Sequence, residues 1–308
     1  MAGSAAGCYS IRPFIAYGRK PMIIRLIAAL VAGTALAAPV AYAQAPVDTL
    51  AKIKSAKAIN VAYSPDSLPF SMKGTGTEPT GYSIDLCKRV IAQISQTVGE
   101  PMLKVNWMPG TVSERLQMVA SHRADLECAN TTQTQSRLAN VDFSNLIFID
   151  GGGFVVKAGA PINEMGDLAG KKVAVLKGTT TETRLNDVLR RRLISATVVT
   201  INDPTEGMTM LDSGSVDAYA GDKIKLVGLV AVSKEPTNYA MLLQDLSYEP
   251  YAFALPRGDS ALRLQVNKAL TQVYVSGDIE VIFAQWLGKL GRPSGLLAAM
   301  YLLNSIPE

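Results

Sequence analysis

From Ile59 onward the chain alternates short apolar runs with amphipathic ones, in two rounds separated by Gly151-Gly152-Gly153. In the first round Ile59–Tyr63 reads as a strand. A helix follows Gly81, with Ile84, Leu86, Val90, Ile91 and Ile94 at helical spacing. Leu103–Trp107 is the next strand, Ser113–Ala120 the next helix and Ala124–Cys128 the third strand. In the second round Lys172–Leu176, Val198–Ile201 and Val216–Ala220 read as strands. A helix running to about Arg192 and a short one over Glu206–Leu211 lie between them. Strand–helix alternation of this kind predicts an α/β fold, with parallel strands and helices on the sheet faces. Because the pattern repeats, two lobes are expected, with the glycine run as one crossing and Pro250–Leu255 as the return. Helices over Ser260–Tyr274 and Asp278–Leu287 would then pack back on the first lobe. The predicted division is 44–150 plus 254–308 for lobe 1 and 151–253 for an inserted lobe 2, leaving a cleft between them, a common place for a ligand.

The first 43 residues read separately. Basic residues up to Arg25 precede the apolar run Leu26–Ala38, and Ala41-Tyr42-Ala43 has the small-x-small form of a signal-peptidase site. The run is short for a membrane span, which needs about 20 apolar residues. A removed secretory leader over 1–43 is therefore expected, with Met22 an equally good start and the mature chain beginning at Gln44. No cysteine stands there to be lipidated. The formal charge is +4, and Arg12, Arg19, Lys20 and Arg25 of the leader account for all of it. A near-neutral mature chain gives no basis for nucleic-acid binding. Cys8 leaves with the leader. Cys87, on a predicted helix, and Cys128, on a predicted strand, can be joined in an exported chain or remain two buried thiols.

The stretch Glu127–Arg137 carries the chemistry. Asn130, Thr131 and Thr132 follow a strand end, and Arg137 comes five residues after Thr132. Small donors beside a guanidinium fork suit a planar carboxylate. Nothing in it resembles a nucleophile with its base, so the stretch predicts holding rather than chemistry, with no catalytic residue, metal site or cofactor.

Taken together, several motifs resemble a known family: Pro69-Phe70, Gly81-Tyr82-Ser83-Ile84-Asp85, Glu127–Arg137, Val141-Asp142-Phe143-Ser144, Lys177-Gly178-Thr179-Thr180, and Leu211-Asp212-Ser213-Gly214 leading to Asp222. In order and spacing they resemble the periplasmic amino-acid-binding proteins of ABC importers, solute-binding family 3, nearest the glutamate/aspartate branch. The resemblance spans about 47–287 and implies the type II two-lobed periplasmic fold, each lobe a mixed sheet flanked by helices. It further implies a periplasmic monomer that binds a small-molecule amino acid and docks on ABC permease membrane subunits. Carried over by position, Arg137 would pair with the ligand α-carboxylate, helped by Thr132 and by the amide and hydroxyl of Thr180. Asp222 would accept from the α-ammonium, with Asn130 supplying its carbonyl.

The pocket for the ligand side chain departs from the acidic branch. Ser64 stands where that branch has an arginine and Pro204 where it has a histidine. Arg115, after Thr111 and Val112, is then the remaining basic group, so either an acidic or a neutral polar ligand is implied. Phe253 stands where the branch has a bridging cysteine, which leaves Cys128 without that partner. Other readings of the same residues stay open: Arg137 as a solvated helix arginine, Asp222 and Thr180 as helix caps, and Arg115 paired with Glu114 or another surface acid. His122 is expected in solvent, Arg190–Arg192 at a solvated helix end, and the apolar tail Leu296–Leu303 in a core-packing helix. The same fold also resembles exported cyclohexadienyl and arogenate dehydratases, for which Asp222 and Glu127 are the candidate acids, and a sensory receptor would use the same site.

Overall fold

The computed structural model describes residues 48–307 apart from residue 243. The leader, its cleavage site and Cys8 lie outside the described residues. In chain order the first elements are α1 (Thr49–Ala56), β1 (Ala58–Tyr63), the hairpin β2 (Asp66–Ser67) and β3 (Ser71–Met72), α2 (Tyr82–Val98), β4 (Lys104–Pro109), α3 (Val112–Ala120), β5 (Leu126–Cys128) and α4 (Gln135–Leu138). Then come β6 (Val141–Lys157), β7 (Lys172–Leu176), α5 (Thr180–Arg191), β8 (Thr197–Ile201), α6 (Pro204–Asp212), β9 (Ala218–Asp222), α7 (Lys223–Ala231), β10 (Tyr239–Met241) and β11 (Ser247–Pro256). Three helices close the chain: α8 (Ser260–Ser276), α9 (Asp278–Leu287) and α10 (Gly295–Leu303).

The strands form one mixed sheet in the order β4-β1-β5-β11-β6-β9-β7-β8, with β10 also on β6. At each end the expected parallel strands are present, β4/β1/β5 and β8/β7/β9. The centre is antiparallel, because β6 and β11 run through both halves, paired from Val141/Pro256 to Gly152/Ser247. Glycines at 151–153 suit this passage, since β11 lies along one side of β6 and β9 along the other.

Each end of the sheet has its own apolar core. One gathers Ile59, Val61 and Leu126 of the strands with Ile84, Leu86 and Val90 of α2 and Leu262, Val266 and Leu270 of α8. The other packs Phe154, Val173 and Val175 against Leu185 and Leu189 of α5. The apolar periodicity of α2 and α5 therefore faces inward, as a half-buried helix requires. Helix α10 joins the first core through Leu297, Met300 and Tyr301, as expected of the apolar tail.

Cys87 and Cys128 are joined, their Cα atoms 6.0 Å apart, within the usual span of a disulfide. Of the two alternatives the sequence left open, a disulfide and two buried thiols, the disulfide is the one present. Helix α2 packs over β5 and brings Cys87 to it, while Phe253 is simply a buried core residue.

Two of the motifs serve the core as well. Phe70 lies edge-on to Tyr82, Phe148 and Tyr251, with ring centroids 5.0–5.9 Å apart. Tyr82 is held by its hydroxyl, which donates to the Ile147 carbonyl or meets the Tyr301 hydroxyl, each at 2.8 Å. This aromatic cluster fixes the ring of Tyr251, whose hydroxyl belongs to the site.

Candidate functional site

All eight residues singled out in the sequence, Ser64, Thr111, Arg115, Asn130, Thr132, Arg137, Thr180 and Asp222, line one cavity of about 300 Å³. The loop after β5 supplies Asn130, Thr131 and Thr132, all buried, and is tied to β11 by hydrogen bonds from Ala252 N to Thr131 O and from Gln133 N to Pro250 O. Arg137 lies on the one-turn helix α4, capped by Thr134, and its Nη1 donates to the Thr132 carbonyl at 2.7 Å. Burial lowers the Arg137 pKa from its ordinary value, while the carboxylates of Glu127, Glu249 and Asp222 act in the other direction. The guanidinium is thus held in place by its own backbone, with only one donor committed.

Facing it is the start of α5. Thr179 caps the helix by accepting from Glu182 N, and Thr180 is its first residue. The first N–H groups of a helix have no intrahelical partner and carry its positive end, which suits an anion. Gly178 turns the chain there with φ of +76°, and a Cβ on it would come 3.1 Å from Ser113 Oγ at the start of α3. The two walls are therefore close together, and the Thr132 and Thr180 hydroxyls stand 3.4 Å apart.

Asp222 ends β9 and occupies the cap position of α7, yet its side chain makes no cap hydrogen bond. Its carboxylate instead accepts from Thr181 Oγ1 at 2.9 Å, Tyr251 Oη at 2.7 Å and Asn130 Nδ2 at 3.3 Å. The helix-cap reading of Asp222 is thus set aside by geometry. Asn130 is engaged through its side-chain amide.

Arg115 is in the cavity wall, but its charge is already matched. Its Nε donates to Glu127 Oε1 at 2.7 Å, Nη1 to the Gly110 carbonyl at 2.7 Å, and Nη2 lies 3.4 Å from Thr131 Oγ1. Neither partner is solvated, so the pairing with Glu127 replaces the surface pairing with Glu114. Glu114 serves the capping box with Thr111, which is where Thr111 spends its side chain. Ser64 is buried and hydrogen-bonded to Asp66, Ser67 and Ser71.

Four residues at or beside the site escaped the sequence reading. Tyr251 and Glu249 come from β11 and Asp150 from β6; Glu249 and Asp150 sit directly opposite each other in the ladder. Glu249 Oε2 accepts from Thr132 Oγ1 at 2.6 Å and Thr180 Oγ1 at 2.7 Å, so one carboxylate joins the two walls. Burial, with Asp222 nearby, raises its pKa. Asp150 accepts from Gly151 N at 2.8 Å and Ile224 N at 3.1 Å, yet burial and the Asp222 charge push it up to about 7. The fourth, Lys225, lines the cavity from α7. Among the described residues there is no cluster of three or more His, Cys, Asp or Glu able to hold a metal ion. No described helix is long and apolar enough to cross a membrane.

Residues 59–289 match the family model described as bacterial extracellular solute-binding proteins, family 3. The chain belongs to that family. This solute-binding protein is 33% identical over 272 residues to the L-glutamate/L-aspartate-binding protein of Pseudomonas aeruginosa, covering 88% of this chain and 90% of that one. It is 30% identical over 278 residues to the glutamate/aspartate import solute-binding protein of Escherichia coli K12, covering 90% and 91%. Among solved structures it resembles an ancestral arginine-binding protein bound to arginine, with a TM-score of 0.67 and 28% identity over 75% of this chain and 99% of that one. The type II two-lobed fold expected from the motifs is the fold of this protein. Its relatives are named for binding, and the protein is a binding protein rather than an enzyme.

Proposed function

We propose that this protein is the amino-acid-binding component of an ABC-type importer and takes a polar or acidic L-amino acid into the cleft for delivery to membrane permease subunits. On this reading it works outside the cytoplasmic membrane, after removal of residues 1–43. Its lobes are 44–150 plus 254–308 and 151–253, hinged at β6 and β11. The observation that carries the reading is the opposition of Arg137 and Asp222 across one cavity, a fork donor and a carboxylate for the two ends of a zwitterion.

Arg137 takes the α-carboxylate together with the free N–H groups at the start of α5. The Thr132 and Thr180 hydroxyls line the same seat. Each has a single proton, and both protons go to Glu249, so these hydroxyls must release Glu249 to grip a ligand carboxylate. Asp222 takes the α-ammonium. The groups come from both walls, so a ligand held by all of them holds the cleft shut, and the closed form is what a permease can distinguish. Dehydratase chemistry has no support in this arrangement. Glu127 is committed to Arg115 and Thr131, Asp222 to Thr181, Tyr251 and Asn130, and Glu249 to Thr132 and Thr180, while Asp150, pushed to about 7, is not among the cavity-lining residues.

The test is thermal unfolding of protein refolded to strip carried ligand, against each L-amino acid. A ligand at about 100 times its dissociation constant adds about 2.7 kcal/mol, which for a chain of this size raises Tm by roughly 5–10 °C. A rise confined to polar or acidic L-amino acids is expected. No rise with any amino acid would refute the function.

A further inference from the structure

With Arg115 spent on Glu127 and Arg137 assigned to the α-carboxylate, the cavity is still lined by two lysines without an ion pair among the described residues, Lys177, which is exposed, and Lys225, which is half-buried. Helix α7 begins directly after Asp222 with Lys223-Ile224-Lys225, and its first turn has no acidic residue. Cations at a helix start oppose the helix dipole, so such a placement needs another cause. For Lys223 the cause is visible, an ion pair with Asp245. Lys225 has none: it is half-buried, lines the cavity, and among the described residues no carboxylate stands within ion-pair reach of its ammonium. Asp66 also lines the cavity; it is solvent-exposed and accepts from Ser64 Oγ at 2.9 Å.

Position adds a second argument. Asp222 and Lys225 are the cap and third residues of one helix, three apart, so their side chains lie on the same face at about 5–6 Å between Cβ atoms. Asp222 is turned away toward Thr181, Tyr251 and Asn130 rather than toward the lysine. One residue is thus set to hold the ammonium of an amino acid while the other waits a few ångströms along for a second charge of opposite sign. An unpaired ammonium in a cavity also lined by Ser64 and Ser67 makes a side-chain pocket for an anion.

We propose that Lys225 is the specificity residue of this cleft and pairs with the side-chain carboxylate of an acidic amino acid. This inference rests on the amino-acid-binding reading above, and it narrows the ligand to glutamate or aspartate.

Isothermal titration of ligand-stripped wild type, Lys225→Met and Lys225→Arg with L-glutamate, L-aspartate, L-glutamine and L-asparagine tests it. Wild type should prefer one of the acids to its amide. A charge-assisted contact is worth roughly 10- to 100-fold in affinity. Lys225→Met should lose about that factor for the acid and stay within about threefold for the amide, and Lys225→Arg should keep the preference. Equal losses for acid and amide, or no loss for the acid, would overturn the role of Lys225 while leaving amino-acid binding intact. A wild-type preference for the amide would do the same. Wild type that binds none of the four, or any other L-amino acid, would overturn the function itself.

Discussion

Replacing Asp150 by Asn should make the ligand-free protein more stable at pH 8 and leave it almost unchanged at pH 5. Asp150 sits in the central ladder directly across from Glu249 and shares the Tyr251 hydroxyl with Asp222, at 3.2 Å against 2.7 Å. Tyr251 has one proton to give, and the shorter contact takes it. Two backbone N–H groups favour the Asp150 carboxylate, but burial and the Asp222 charge outweigh them and raise its pKa from 3.8 to about 7. The folded state therefore binds the Asp150 proton more tightly than the unfolded state does. Stability contributed by this group is highest below the unfolded value, falls as pH climbs toward the folded value, and levels off above it. Over the whole range the loss is about 4 kcal/mol, of which roughly 2–3 falls between pH 5 and 8. Asn removes the charge, though its amide must face one of the two N–H donors, at a cost of about 1 kcal/mol.

Urea unfolding of wild type and Asp150→Asn at pH 5, 6, 7 and 8 measures the effect. The two stability curves should diverge by roughly 2–3 kcal/mol from pH 5 to 8, with the variant above wild type at the alkaline end. Parallel curves would refute the electrostatic account. A bound ammonium near Asp222 should in turn draw the Asp150 proton off. Ligand affinity in wild type should then rise with pH up to about 7, by at most tenfold per pH unit, and this rise should be weaker in the variant.

Three further outcomes follow from the same geometry. Asp222→Asn should weaken amino-acid binding by roughly 10- to 100-fold, because the α-ammonium loses its charged acceptor; titration calorimetry reads the change. Replacing Cys87 and Cys128 by Ala opens a loop of 41 residues, and chain entropy puts the cost at about 4 kcal/mol, a fall in Tm of roughly 8–15 °C by calorimetry. Glu249→Gln should raise the affinity for an amino acid a few-fold at pH 8. A neutral amide holds the Thr132 and Thr180 protons less firmly than a carboxylate does, and the gain should shrink as the pH falls, because burial raises the Glu249 pKa and the wild-type carboxyl becomes neutral too. A loss of affinity at pH 8 would show that Glu249 aims those hydroxyls productively.

How far the sequence was legible depends on where each residue stands. Arg137, Thr132, Asn130, Thr180 and Asp222 stand at or after strand ends, and strand ends can be read from apolar periodicity, so the motifs already pointed to residues that line one cavity. Asp150, Glu249 and Tyr251 sit within the crossings β6 and β11. Their placement depends on the register of a pairing between segments nearly 100 residues apart, which no local pattern encodes. Cys87 and Cys128 raise the same difficulty, because only the packing of α2 over β5 joins them. Arg115 was recognised as basic, but its availability depended on Glu127, a neighbour on another element. Lys225 did leave a trace, two cations at a helix start where the dipole disfavours them.

The charge balance around the cleft says why ligand and closure should be coupled. Glu127 and Arg115 cancel one another, which leaves Asp150, Asp222 and Glu249 around a single arginine near the α-group end. Two of these acids, Asp150 and Glu249, have raised pKa values, the consequence of burial and of the Asp222 charge beside them. On the proposed binding mode a zwitterion's ammonium would supply positive charge at Asp222, and its carboxylate would occupy Arg137. Because Thr132, Asn130 and Arg137 stand on one wall and Thr180, Thr181 and Asp222 on the other, neither wall alone can satisfy both ends of the ligand. The binding energy is thus largest in the closed form, which is the condition for a ligand to shift a hinge equilibrium.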